Sequence, residues 1–224
     1  MVQMEWYRIP EISLKNYIKC LDQLYKVLEN KNMPKTDIDP FMQGMLMGVD
    51  SITPARWDEI EKVRLKTKNL EMKMGDFHEE LMGKFPGWKT LPVGHVTECD
   101  VMKDDGTVVL EVKNKANTFN SGGGKDVIRK LTKQLENGVE TVVFVQVNCP
   151  GGKVNRFNAD PRIKVWNGKD TYKFLSGRET FFEDLLKTTN YTFQKFKTYD
   201  ELKAFTLANT AGGGTSSRRK SLTS

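Results

Sequence analysis

The stretch Gly94–Asn120, GHVTECDVMKDDGTVVLEVKNKANTFN, decides how this chain is read. It has the pattern of a β-hairpin: a first strand from His95 to Met102, a turn at Asp104-Asp105-Gly106, and a second strand from Thr107 to Lys113. Side chains alternate along a strand, so Glu111 and Lys113 share one face while Val112 takes the other. Asp100 falls near the end of the partner strand, where the hairpin brings it beside Glu111. Two carboxylates and a lysine thus converge at the end of an apolar run, Val108-Val109-Leu110.

That grouping has a chemical use. Mg²⁺ takes hard oxygen ligands and is commonly held by one or two carboxylates plus substrate phosphate. A bound metal activates water and offsets the charge that grows on a phosphoryl transition state. A lysine on the same face adds positive charge and orients that water. By itself, Glu-x-Lys on a strand also describes a solvated face with a cross-strand ion pair, so the flanking segments matter. Upstream, Gly75-Asp76-Phe77-His78-Glu79-Glu80-Leu81 predicts a helix beginning near Asp76, with Phe77 and Leu81 inward and Glu79 on another face. Downstream, Asn114 to Ser121 is a polar, Asn-rich exit from an apolar strand.

Asp, ten residues, then Glu-x-Lys is the pattern of the PD-(D/E)xK nuclease superfamily. Within it, the segment from Gly75 to Leu135 resembles the type II restriction endonucleases that cut GGNCC and GGWCC sites. There a G-x-FH-E helix, a GxDV strand and an E-x-KNK-x-NT-x-NS segment occur in this order. The sequence departs from the family at Thr97-Glu98-Cys99, at Ala116 in place of a histidine and at Gly122–Gly124 in place of serines. These departures bear on sequence preference more than on chemistry. The resemblance implies a Mg²⁺-dependent endonuclease of double-stranded DNA that acts at a short GC-rich palindrome and leaves 5′-phosphate and 3′-hydroxyl ends. Asp100 and Glu111 are then metal ligands, Lys113 positions the attacking water, and Glu79 supplies an extra acidic group to a second metal, with Glu80 as the alternative. An ordinary exposed helix glutamate is an equal reading of Glu79. Asn114, Lys115, Asn117, Asn120 and Ser121 follow on the DNA side. A two-fold site implies a homodimer, and a cognate methyltransferase acting on the same site is an expected partner.

The rest of the chain supplies a scaffold. Leu14, Tyr17, Ile18, Leu21, Leu24, Tyr25 and Leu28 predict an amphipathic helix over 12–28. Phe41–Met47 predicts a short helix, with Pro40 in its first turn and its methionines as core filling. Thr53-Pro54 starts a third, with Trp57, Ile60 and Val63 inward. Ser121-Gly122-Gly123-Gly124-Lys125 is no Walker loop, because Phe119 stands at its first glycine position and Asp126 follows the lysine. It reads as a flexible lead into a helix over 126–135. Val127, Ile128, Leu131 and Leu135 face inward there, and Lys125, Arg129, Lys130 and Lys133 face outward as candidates for DNA-backbone contacts. Thr141–Val147 predicts a strand buried on both faces, parallel to the Glu111 strand through a crossover. A short strand over 163–166 and helices over 178–186 and 199–207 follow. The expected fold is α/β, a restriction-endonuclease-like mixed central sheet flanked by helices. The chain divides into a helical N-terminal region over 1–74, a nuclease core over 75–209 and a disordered basic tail over 210–224.

Composition sets outer bounds. The 224 residues suit one sizeable domain, and a formal charge of +6 favours a polyanionic partner. Three cysteines, Cys20, Cys99 and Cys149, without CxxC spacing argue against a disulfide framework or zinc site and fit a reducing compartment. No apolar leader or bilayer-length run is visible, so an intracellular, cytoplasmic location is expected. Two other classes stay open: a structure-selective or repair nuclease of the same superfamily, and a noncatalytic DNA-binding module on a decayed nuclease fold.

Overall fold

The computed structural model describes residues 5–31, 39–115, 121–155 and 160–211. Five strands form one sheet in sequential order: β1 (Trp88–Thr90), β2 (Val101–Lys103), β3 (Val108–Lys115), β4 (Thr141–Asn148) and β5 (Lys164–Asn167). β2 pairs antiparallel with both β1 and β3, and β4 and β5 continue parallel to β3. This is the expected mixed sheet. The three residues of β1 carry too short a pattern to be read in advance.

The hairpin is present, but its first strand is shorter than the sequence suggests. His95–Cys99 forms turns instead: the His95 N–H donates to Pro92 O at 3.0 Å and the Glu98 N–H to His95 O at 2.8 Å. Gly94 and Glu98 both take positive φ, 82° and 59°, which bends the chain before it can pair. Pairing begins only with Val101 opposite Leu110 and Met102 opposite Val109. Carried back one step, that register sets Asp100 across from Glu111.

Seven helices lie among the described residues: α1 (Leu14–Glu29), α2 (Pro40–Val49), α3 (Pro54–Met82), α4 (Ser121–Glu136), α5 (Gly168–Ser176), α6 (Phe181–Lys195) and α7 (Tyr199–Ala211). Side-chain oxygens of Ser13, Asp39 and Thr53 cap the first three. The two helices expected near Pro54 and Asp76 are one 29-residue helix, α3. Between them stand good helix formers, and a lone Gly75 costs about 1 kcal/mol, too little to break it. Likewise α4 begins at Ser121 and takes in the three glycines that read as a flexible lead.

Alternation along β3 divides the core. Val108, Leu110 and Val112 join Val143, Val145 and Val147 of β4 against Tyr17, Leu21, Leu81 and Phe181 from the helices on one side. Val109, Val142 and Phe144 meet Val127 and Leu131 of α4 on the other. Both faces of the sheet are therefore covered without α2. Its methionines are not core: no α2 residue is buried, and Phe41 and Val49 are 81% and 84% exposed. On α3, Trp57 is buried as expected while Val63 is exposed. Among the described residues, no helix is long and apolar enough to cross a membrane.

Candidate active site

The site lies where β3 emerges from its apolar half. The Asp100 backbone is held on both sides, its N–H donating to Leu110 O at 3.1 Å and its carbonyl accepting from the Leu91 N–H at 2.8 Å. Its side chain is aimed by the Val112 N–H, which donates to Asp100 Oδ2 at 2.7 Å. Lys113 Nζ stands 2.9 Å from Glu111 Oε1 and 3.7 Å from Asp100 Oδ2, and donates to Val112 O at 3.0 Å. The three residues singled out in the sequence are thus brought together.

Glu111 is the unusual member. It is 1% exposed, and neither carboxylate oxygen has a hydrogen-bond partner among the described residues. The Lys113 approach is an ion pair off the hydrogen-bonding direction. A buried carboxylate left this way opposes folding. Burial, and then the charge of Asp100, push its pKa up. Burial pulls the Lys113 ammonium down, but Asp100 and Glu111 outweigh it and hold the lysine above its usual range.

Glu79 reaches the same electrostatic neighbourhood from α3. Its carboxyl is pushed up to about 7, first by burial and then by the charge of Asp100. Glu80, the alternative, is exposed and pairs with Lys84 at 3.0 Å. His78 is buried, with Nδ1 2.8 Å from the Tyr172 hydroxyl, and burial lowers its pKa to about 4. It is a packing residue. Among the described residues no three His, Cys, Asp or Glu side chains form a metal cage of their own. That donor set fits Mg²⁺, which needs few protein carboxylates, and Glu111 has both oxygens to give.

The residues expected on the DNA side are arranged unevenly. Asn114 donates to Glu71 O at 3.3 Å and accepts from Asn148 at 2.7 Å, and Lys115 pairs with Glu71 at 2.5 Å. The end of β3 is thereby tied to α3. Asn117 and Asn120 lie outside the described residues, and Ser121 is the first residue of α4. Lys125 is exposed. Arg129 pairs with Glu98 at 2.7 Å and Asp126 at 2.8 Å, and Lys133 with Glu98 at 2.9 Å. A cavity of about 650 Å³ opens at the carboxyl ends of the parallel strands, bordered by Lys115, Asn148, Asn167 and Lys169.

Lys130 corrects the sequence reading outright. It does not face outward with its neighbours: Nζ lies 3.6 Å from Glu111 Oε1 and 3.6 Å from Asp126 Oδ2. Helical spacing put it at the margin of the Val127–Leu131 stripe, and its charge argued for solvent. The counter-signal was Asp126 four residues earlier, an i,i+4 partner that draws the ammonium along the helix at ion-pair distance.

Comparison with known proteins agrees in direction. A family profile described as Eco47II restriction endonuclease matches residues 10–197. The chain is similar to the type II restriction enzyme Sau96I of Staphylococcus aureus, 27% identical over 198 residues that cover 78% of this chain and 75% of that enzyme. It is also similar to the type II restriction enzyme Eco47II of Escherichia coli, 23% identical over 174 residues, 69% of this chain and 71% of that enzyme.

Proposed function

Because the chain belongs to the Eco47II restriction endonuclease family, and so is a type II site-specific deoxyribonuclease, we propose how its residues divide the work. Asp100 and Glu111 would hold Mg²⁺, and Glu79 would complete a second acidic position. The observation that carries this reading is Glu111: a buried carboxylate with no hydrogen bond on either oxygen, 2.9 Å from a lysine. Mg²⁺ bound there would activate water and neutralise charge at the phosphate. Lys113, kept protonated by its acidic neighbours, orients the attacking water. The Val112 N–H keeps Asp100 in place throughout. Water oxygen bonds to phosphorus as the bond to the 3′ oxygen breaks, leaving 5′-phosphate and 3′-hydroxyl ends. Type II membership sets aside a structure-selective nuclease and a noncatalytic module.

The recognition site on this reading is a short GC-rich palindrome of the GGNCC type. Asn114, Lys115, Asn117, Asn120 and Ser121 serve the DNA side, where asparagine and lysine suit adenine and guanine edges. Lys125 and Arg129 serve phosphates, Arg129 by exchanging its carboxylate partners for a backbone oxygen. A palindrome asks for a two-fold dimer. The uncharged, exposed helix α2 supports the N-terminal region as its surface. A methyltransferase acting on the same site is the expected companion, and free thiols at Cys20, Cys99 and Cys149 suit a reducing, intracellular setting.

The test is plasmid cleavage with Mg²⁺ or EDTA, beside Lys113→Ala. Discrete Mg²⁺-dependent fragments are expected, with a rate about 10²–10³-fold lower in the variant. A smear, or cleavage that survives EDTA, would overturn the assignment.

A further inference from the structure

Two ammonium groups approach Glu111, and they are held differently. Lys113 is fixed inside the hairpin by Glu111, Asp100 and the Val112 carbonyl. Lys130 comes from α4 and stands midway between two carboxylates, 3.6 Å from Glu111 Oε1 and 3.6 Å from Asp126 Oδ2. Both distances exceed hydrogen-bond reach, so neither oxygen holds it firmly. The helix beneath it is anchored, with Leu131 fully buried and Val127 nearly so. An anchored helix therefore presents a partly shielded cation, paired at longer range than Lys113, to the buried carboxylate of the site.

We propose that Lys130 is a second catalytic cation, resting against Glu111 in the free protein and passing its ammonium to the scissile phosphate when DNA binds. The inference rests on the reading of Glu111 as a metal ligand. Once Glu111 is engaged in that role, its charge no longer compensates Lys130, and an ammonium at this distance repels a dication. The anion that substrate brings is the phosphodiester. Lysine, a point charge on a four-carbon stem, can swing to it, whereas Lys113 is tied to its own strand. Lys113 then serves the attacking water, and Lys130 serves a non-bridging phosphate oxygen as charge accumulates there. No bond to Lys130 forms or breaks.

This role has a signature that mere support of Glu111 lacks. Lys130→Met, Lys130→Arg and the unsubstituted protein are compared in single-turnover cleavage of a plasmid across a Mg²⁺ titration, and in calorimetric Mg²⁺ binding without DNA. A catalytic Lys130 predicts a rate about 10²-fold lower for Lys130→Met at saturating Mg²⁺. It also predicts metal binding that is several-fold tighter, because a repelling charge has gone, and partial recovery of rate in Lys130→Arg. If Lys130 only held Glu111 in place, Lys130→Met would bind Mg²⁺ more weakly and excess Mg²⁺ would restore its rate; that result overturns the proposal. So does a rate within a few-fold of the unsubstituted protein. Thermal melting shows whether Lys130→Met is folded, and Lys130→Gln takes its place if it is not. Failure of the unsubstituted protein to cleave at any Mg²⁺ concentration would instead strike the parent reading, and this inference with it.

Discussion

Glu111 sits where folding alone would favour another valine. Its neighbours on the same face, Val109 and Phe144, are buried apolar residues, and a carboxylate among them must be neutralised by something. Strongly perturbed carboxyls gathered in one place mark sites where charge is used rather than merely tolerated. Glu79 shows how that can be measured. Its folded-state pKa of about 7 lies above the ordinary carboxylate range, so the folded protein binds its proton more tightly than the unfolded chain does. The resulting stability is fully present at acidic pH, below the ordinary range, and is lost as pH rises through about 7. In EDTA, Glu79→Gln should melt with the unsubstituted protein near pH 4 and above it at pH 8. Equal melting at pH 8 would show that neither burial nor the charge of Asp100 raises the Glu79 carboxyl. Burial acts in the same direction on Glu111. Mg²⁺ should accordingly raise the melting temperature most above pH 7, where the carboxylates are ionised.

Among the elements, α3 does the most to assemble the site. One helix packs on α1 along part of its length and on β1 and β3 elsewhere, so the N-terminal helices and the strand that carries Glu111 share a single rigid rod. Its end is fitted closely to the sheet. A Cβ at Gly83 would lie 2.1 Å from Thr90 Oγ1 and 2.3 Å from the Thr90 backbone nitrogen, and Thr90 also donates to Glu79 O at 3.3 Å. Gly83 is needed for this approach and not for its backbone angles, which are ordinary helical ones, φ −72°. Gly83→Ala should force the helix end off β1 at a cost of about 1–3 kcal/mol. Denaturant unfolding gives that loss, and cleavage should fall with it, because Glu79 rides on the displaced turn. Unchanged stability would mean that the helix end is less constrained than the packing indicates.

At the scale of the molecule, a palindromic substrate needs two sites related by a two-fold axis. On the proposed reading of a palindromic site, one exposed helix suits the two-fold contact. Ten residues of α2, PFMQGMLMGV, carry no charge in a chain of net charge +6, and Phe41, Met45 and Val49 lie exposed at four-residue spacing. Two copies of such a helix meet without like-charge repulsion. Light scattering should give twice the chain mass for the unsubstituted protein, and Met45→Lys should shift it toward the single chain. The variant should then nick plasmids in one strand instead of cutting both. A dimer that survives Met45→Lys would place the two-fold contact elsewhere.

What the sequence determined by itself was local and periodic. Alternation along Val108–Lys113 gave the faces of β3, the spacing of Asp100 to Glu111 and Lys113 gave a cluster that the fold does bring together, and the stripe from Leu14 to Leu28 gave α1. These patterns are legible because a side chain's direction relative to its own element follows from a period of 2 or 3.6 residues. The structure then decided what no such period contains. It set Glu79 in the field of Asp100 and Glu80 against Lys84, aimed Asp100 through the Val112 N–H, left α2 uncovered, joined two expected helices into α3 and turned Lys130 toward Glu111. Each of these depends on distances between elements, which are set by how faces far apart in the chain pack together. Periodicity fixes which way a residue points along its own element, and packing alone fixes what it meets there.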